Sequence, residues 1–149
     1  MDYRDLIKKH EGLRNFVYLD TEGVPTVGWG HAFLGPEVPE VGDHYWLEEC
    51  EEFFDNDMQQ VEEDFVWLCQ HYAFFRNLNW VRRAVIKNML FNLGMRKFML
   101  FKKMRAAICD QDWKTAAMEM LDSRWATQVG RRAVELAQLM RYGKWRLLD

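Results

Sequence analysis

Glu11, Asp20 and Thr26 lie close together near the start of this chain, in the stretch Glu11-Gly12-Leu13-Arg14-Asn15-Phe16-Val17-Tyr18-Leu19-Asp20-Thr21-Glu22-Gly23-Val24-Pro25-Thr26-Val27-Gly28-Trp29-Gly30-His31. Two carboxyl groups and a hydroxyl converging on one cleft suit cleavage of a glycosidic bond. One carboxyl protonates the leaving oxygen, and the other guides a water onto the sugar. The acid must hold its proton near neutral pH, which burial or a neighbouring carboxylate favours. Taken singly, each residue has a plainer reading. Glu11 is a solvated charge at a helix end, Asp20 a turn residue bonding its own backbone, and Thr26 a β-former. The spacing of Asp20 and Thr26 weakens the plainer reading of Glu11, while Asp20 and Thr26 taken alone keep theirs.

The elements that must position them follow from the pattern around them. Tyr3, Leu6, Ile7 and His10 fall at i, i+3, i+4 and i+7, which predicts a helix over 3–11. Gly12 can take the left-handed conformation that ends a helix, which places Glu11 in the last turn. Phe16 to Leu19 and Val24 to Val27 are short β-prone runs, and Asp20-Thr21-Glu22-Gly23 between them has hairpin chemistry. A third short strand is expected around His31 to Phe33, followed by a loop from Gly35 to Gly42 that holds two prolines and two glycines. From Trp46 the period becomes helical. Leu47, Cys50, Phe54, Met58, Val61, Phe65 and Leu68 share one face, and Glu48, Glu49, Glu51, Glu52, Glu62 and Glu63 the other, predicting one helix of about 25 residues. Val81, Ala84, Val85, Asn88, Met89, Asn92 and Leu93 form a further stripe that Gly94 ends. Phe98, Phe101, Met104 and Ile108 form another. Asp112 is placed to N-cap a helix carrying Ala116, Ala117, Met120 and Leu121, and Val134, Ala137 and Met140 lie on a last helix stopped near Gly143. The expected architecture is α+β. A small antiparallel hairpin lobe (about 13–45) is joined by a long helix to a mainly helical lobe (about 46–149, with the N-terminal helix 3–11), all in one domain, 1–149.

Composition bounds the function. The chain has 149 residues, 49% of them hydrophobic, enough for a sizeable core. No apolar run approaches the roughly 18 residues needed to cross a bilayer, so stable membrane insertion is not expected. The charged start Met1-Asp2-Tyr3-Arg4-Asp5 carries no secretory pattern, which predicts folding in a cytoplasm and carriage to any outer target by something else. Cys50, Cys69 and Cys109 fit no zinc or redox spacing and read as small hydrophobes in a reducing compartment. The net charge of −3 hides a division: residues 1–75 carry 4 basic and 17 acidic groups, and residues 76–149 carry 16 basic and 6 acidic. A nucleic-acid patch is one reading of such asymmetry, and two lobes of opposite sign is another. The basic residues are dispersed over several helices, which favours the second and no nucleic-acid partner. His31 has no second metal ligand at helical or hairpin spacing. It reads as a structural histidine, with Asp57 the expected acid partner. Gly28 and Gly30 permit close approach of backbone to a ligand. Trp29 between them is either core, the favoured reading, or a ring for stacking on sugar.

The stretches Glu11-Gly12-Leu13, Asp20-Thr21-Glu22-Gly23 and Thr26-Val27-Gly28-Trp29-Gly30-His31 resemble the catalytic signature of phage lysozymes of the T-even type, glycoside hydrolase family 24. Phe91-Asn92-Leu93-Gly94, Ser123-Arg124-Trp125 and Arg131-Arg132-Ala133 match helical-lobe motifs of that family in order and spacing. The resemblance implies a lysozyme-like fold that hydrolyses the β-1,4 bond between N-acetylmuramic acid and N-acetylglucosamine in peptidoglycan. In it Glu11 is the proton donor, Asp20 directs the water and Thr26 helps hold it. The anomeric centre is then inverted, and the two carboxyls stand about 6.5–9.5 Å apart. Trp29, Gly30, Asn92 and Arg132 are the candidate substrate-binding residues. Asn92 stands where relatives carry glutamine, and Arg132 falls where an arginine approaches the catalytic glutamate. Trp29 departs from the smaller aliphatic residue of relatives, and the segment after His31 is shorter than in the T-even enzyme. No metal or organic cofactor is implied, and a monomer is expected. The context is a phage or prophage, with export through a phage-encoded membrane pore or delivery in a virion. A lytic transglycosylase would need the acid but no water-directing aspartate, so Asp20 opposes it. A non-catalytic wall-binding or virion protein on the same fold is opposed by the intact Glu11, Asp20 and Thr26.

Overall fold

The computed structural model describes residues 2–148. By packing they fall into two compact units, one up to Gln60 and the other from Val61 onward. Most of the chain is helical, with one small three-stranded antiparallel sheet, the α+β class expected. No helix among the described residues is long and apolar enough to cross a membrane.

The first unit opens with α1 (Tyr3–Glu11), which starts at a reciprocal cap. Asp2 accepts from the Asp5 amide at 2.9 Å, and Asp5 accepts from the Asp2 amide at 3.2 Å. Leu6 and Ile7 are buried, with Tyr3 and His10 half-buried beside them, as the spacing predicts. Gly12 ends α1 by donating to the Lys8 carbonyl at 2.9 Å. Its φ of 71° is positive as expected, but its ψ of 145° lies outside the left-handed helical well. The chain therefore leaves the helix extended and runs directly into the sheet. That sheet is β1 (Arg14–Leu19), β2 (Pro25–Gly28) and β3 (His31–Ala32), in the order β1-β2-β3. Tyr18 faces Thr26 and Leu19 faces Pro25, while Arg14 faces Gly28 across an irregularity in β1. The outer flank of β1 is covered by residues 42–45. Gly42 donates to Val17 (2.8 Å), Val17 to Asp43 (2.9 Å) and Tyr45 to Asn15 (2.7 Å). Residues 35–42 hold no helix or strand.

The predicted long helix is α2 (Leu47–His71), 25 residues. Its share of the first unit buries Cys50, Phe54 and Met58. Leu47, expected on the same face, is exposed, because the buried stripe begins one turn later at Cys50. Arg4 pairs with Asp55, which ties α1 to α2.

In the second unit α2 continues with Val61, Phe65 and Leu68 buried. A 3-10 turn (Ala73–Asn77) leads to α3 (Trp80–Phe98), capped by Asn79, which accepts from the Arg82 amide at 2.9 Å. Gly94 breaks α3 with φ 77° and ψ 162°, so the regular helix ends where the stripe predicts and one more turn reaches Phe98. Then come α4 (Lys102–Cys109), α5 (Trp113–Leu121), α6 (Arg124–Val129) and α7 (Arg131–Tyr142). Asp112 caps α5, accepting from the Thr115 amide at 3.1 Å. Leu121 and Val134, predicted as core, are exposed. The first is the last residue of α5, and the second flanks a buried stripe made by Ala133, Leu136, Ala137 and Met140. Gly143 closes α7 in the left-handed conformation. The carbonyls left over at that end are taken by α3's start: Arg82 donates to Met140 (2.7 Å) and Arg141 (3.0 Å), and Asn79 to Gly143 (3.2 Å).

Two caps make testable predictions. Ser123 accepts from the Ala126 amide at 3.1 Å and donates to the Met120 carbonyl at 2.6 Å. Ser123→Ala is expected to cost about 1 kcal/mol in urea unfolding. Hydrogen bonds from Thr115, side chain and backbone, hold the Asp112 carboxyl below its ordinary value of 3.8. The stabilisation from that group is therefore complete above the unfolded value and is lost as pH falls through the lower folded one. The stability difference between wild type and Asp112→Asn should shrink on acidification across that window, read from urea midpoints.

Candidate active site

Glu11 is the last residue of α1, and the sheet brings the chain back beneath its carboxyl. The return point is the turn between β2 and β3, where Gly30 has φ 75°. A Cβ built on Gly30 would lie 2.5 Å from Glu11 Oε1 and 3.2 Å from its Cδ. No side chain at position 30 is compatible with the acid where it stands, and the positive φ independently favours glycine. Gly28 is similar: at φ 68° its missing Cβ would lie 3.1 Å from Cys50 Cβ. The close approach that these two glycines permit is thus made by the chain's own Glu11 and Cys50.

Asp20 fixes the hairpin. Its Oδ1 accepts from the Glu22 amide at 2.8 Å and the Val24 amide at 2.9 Å, while its own amide donates to the Val24 carbonyl at 3.0 Å. Both side-chain bonds fall on one oxygen, and Oδ2 takes no part in the turn. Thr26, on β2, is 3% exposed and donates its hydroxyl to the Val24 carbonyl at 2.8 Å. That bond directs the hydrogen to the backbone and leaves the oxygen's lone pairs as acceptors.

Tyr18, which faces Thr26 across the strands, was not singled out from the sequence. Burial raises its phenol above the ordinary value, Arg14 opposes this, and Glu11 and Asp20 add to it. It therefore remains a neutral donor at neutral pH, within the field of both carboxylates. The Arg14 guanidinium lies 4.2 Å from its ring centre. The available signal was the β1 alternation that puts Tyr18 two residues before Asp20, but it acquires meaning only with the cross-strand register.

His31 is held by Asp57 at 2.9 Å and 3.2 Å from the two carboxylate oxygens, the partner expected. Its ring stacks on Phe53 at 4.3 Å and meets the edge of Phe33 at 5.1 Å. Among the described residues no group of three or more His, Cys, Asp or Glu is arranged to hold a metal. Trp29 is half-buried against Phe54, with ring centres 5.7 Å apart. Asn92 and Arg132 belong to the second unit. Asn92 Oδ1 accepts from the Trp125 indole at 2.6 Å, and buried Arg132 donates through Nε to Asn88 at 2.9 Å. The first unit thus gathers Glu11, Asp20, Thr26 and Gly30 from the residues picked out by sequence, and adds Tyr18 and Arg14.

A family model described as phage lysozyme matches residues 8–141. The chain belongs to the phage lysozyme family. The match runs from the last turn of α1 through the sheet to the end of α7, so the family's sequence pattern embraces both compact units. Among curated relatives, the pre-baseplate central spike protein Gp5 of Enterobacteria phage T4 is 26% identical over 161 residues. That alignment covers 96% of this chain and 28% of the spike protein, so the chain spans under a third of that relative. Two Dictyostelium discoideum proteins, "Probable T4-type lysozyme 1" and "Probable T4-type lysozyme 2", are each 26% identical over 94% of both chains.

The contact at Gly30 predicts a paired effect. Gly30→Ala should destabilise the protein by roughly 1–3 kcal/mol, from backbone strain together with the clash. In a Glu11→Ala background the same Gly30→Ala change should cost less, because the clash is gone and only the backbone strain remains. Thermal melts of Gly30→Ala, Glu11→Ala and the double variant against wild type measure it.

Proposed function

We propose that this protein is a peptidoglycan hydrolase that cleaves the β-1,4 bond between N-acetylmuramic acid and N-acetylglucosamine with inversion. Glu11 gives its proton to the glycosidic oxygen as the bond to the anomeric carbon breaks. A water held by Asp20 Oδ2 and Thr26 Oγ1 attacks that carbon from the opposite face, and Asp20 takes the water's proton. The observation that carries this reading is the seating of the Glu11 carboxyl over the side-chain-free Gly30, with Tyr18 facing Thr26 in the field of both Glu11 and Asp20. The turn at Asp20 supports it, because it fixes the carboxylate through one oxygen and leaves the other to the water. The two lysozyme-named relatives support the substrate class.

The remaining parts fit the same reading. The chain is read as one lysozyme domain, 1–149, with a hairpin lobe at about 13–45 and a helical lobe at about 46–149 that includes the N-terminal helix 3–11. Chemistry of this kind runs on carboxyl groups and water and requires no cofactor. The spike-protein relative favours a second reading of the protein's deployment, as a wall-degrading part of a virion rather than a lysin released within the host.

Mass analysis of products from purified peptidoglycan tests the chemistry. Wild type should release fragments with reducing muramyl ends, and Glu11→Gln should slow release by about 10²–10⁴-fold. Anhydro-muramyl ends would make the protein a transglycosylase and remove the role of Asp20. No release by folded protein from several peptidoglycan types would overturn the hydrolase reading. Asp57→Asn should lower stability by about 1 kcal/mol while sparing turnover, since its work is to hold His31; melts and the same product assay check both halves.

A further inference from the structure

We propose that Lys8 and Trp29 form a clamp that positions the Glu11 carboxyl for proton transfer, an inference that rests on Glu11 being the acid. Lys8 lies one helical turn before Glu11 on α1, and Trp29 directly precedes Gly30 in the turn between β2 and β3. The Lys8 ammonium is 4.2 Å from the Trp29 ring centre and 4.9 Å from that of Phe54. Trp29 and Phe54 meet edge to face, 5.7 Å apart at 68°. One cation thus bridges the helix that carries the acid and the turn that forms its wall.

The cation is placed by rings and not by an acid. Arg4, the neighbouring cation on α1, also approaches Phe54, at 5.3 Å, but it is paired with Asp55. Among the described residues no carboxylate lies within ion-pairing distance of Lys8. Indole binds a cation more strongly than the other aromatic rings, and the partial burial of Trp29 strengthens the attraction. The main chain of Lys8 acts toward the same end, since its carbonyl accepts the Gly12 amide that terminates α1 at Glu11. One residue therefore sets the length of the helix with its backbone and holds the opposing turn with its side chain.

The geometry leaves little slack for that turn. Gly30 is close enough to Glu11 that a methyl group between them is excluded, so movement of the turn away from α1 would withdraw one wall of the carboxyl's seat. Proton transfer is steeply sensitive to such misplacement. A smaller aliphatic side chain at position 29 would leave the Lys8 ammonium only the Phe54 ring, which lies on α2 and not on the turn.

The test is steady-state kinetics on soluble, uncross-linked peptidoglycan glycan strands, well below each variant's melting temperature. Rates are expressed per folded molecule by near-ultraviolet circular dichroism. Lys8→Met and Trp29→Leu should each lower kcat by about tenfold with KM nearly unchanged. The double variant should be no slower than the slower single one, because both changes break the same contact. Lys8→Arg, which keeps a cation on the ring, should restore most of the turnover. Wild-type kcat in Lys8→Met would overturn the clamp. So would a raised KM with unchanged kcat in Trp29→Leu, which would make Trp29 a surface for sugar, or fully multiplicative losses in the double variant. Wild type and Glu11→Gln run alongside separate this from the hydrolase reading: a folded wild type without turnover defeats that reading, whereas an active wild type with a dead Glu11→Gln isolates any failure to the clamp.

Discussion

The carboxyl of Glu11 and the absent side chain of residue 30 compete for one volume, and much of the first unit can be read as a consequence. For the carboxyl to face that gap, the acid must stand at this position of α1, because a shift by one residue along the helix would turn the side chain by about 100° around the axis. The start of the helix is fixed by the reciprocal cap of Asp2 and Asp5, and its end by the extended conformation of Gly12. The β2–β3 turn must then present bare backbone, which the positive φ of Gly30 allows. The acid's place on the helix, the turn type and the residue choice are three answers to one steric requirement.

Asp20 illustrates how an ordinary local interaction is compatible with the chemical role proposed for the same side chain. The hairpin uses Oδ1 to gather two amides, the usual behaviour of aspartate at a turn. That use also immobilises the second oxygen. Thr26 follows the same logic, since its bond to the Val24 carbonyl fixes where its lone pairs point. Groups already locked by backbone lose little freedom when a substrate arrives, and this is the physical content of preorganisation.

What the sequence disclosed and what it concealed divide by the range of the interaction. Local signals were accurate: the full extent of α2, the cap at Asp112, the break at Gly94 and the stop at Gly143 all follow from neighbours a turn or less away. Periodicity gave the direction of a buried face but not its ends or width, hence the exposure of Leu47, Leu121 and Val134. Of the candidate site, the Glu11–Thr26 hairpin was legible through its spacing. Tyr18 was not, because its importance arises from register across strands and from the field of two carboxylates. Pairings between distant positions, such as Asn92 with Trp125 and Arg132 with Asn88, leave no trace in local pattern. His31 with Asp57 is the exception, found because an imidazole without metal partners still needs an acceptor.

The small sheet has a further consequence. On one flank, β1 is sealed by the irregular run at 42–45, joined through an isolated bridge between Phe16 and His44. On the other, β3 is only two residues long. Neither margin offers the long row of unsatisfied amides and carbonyls that templates another strand. Backbone-mediated self-association is thereby discouraged, however crowded the solution. Any docking of this unit on a partner would proceed through side chains, where recognition can be selective.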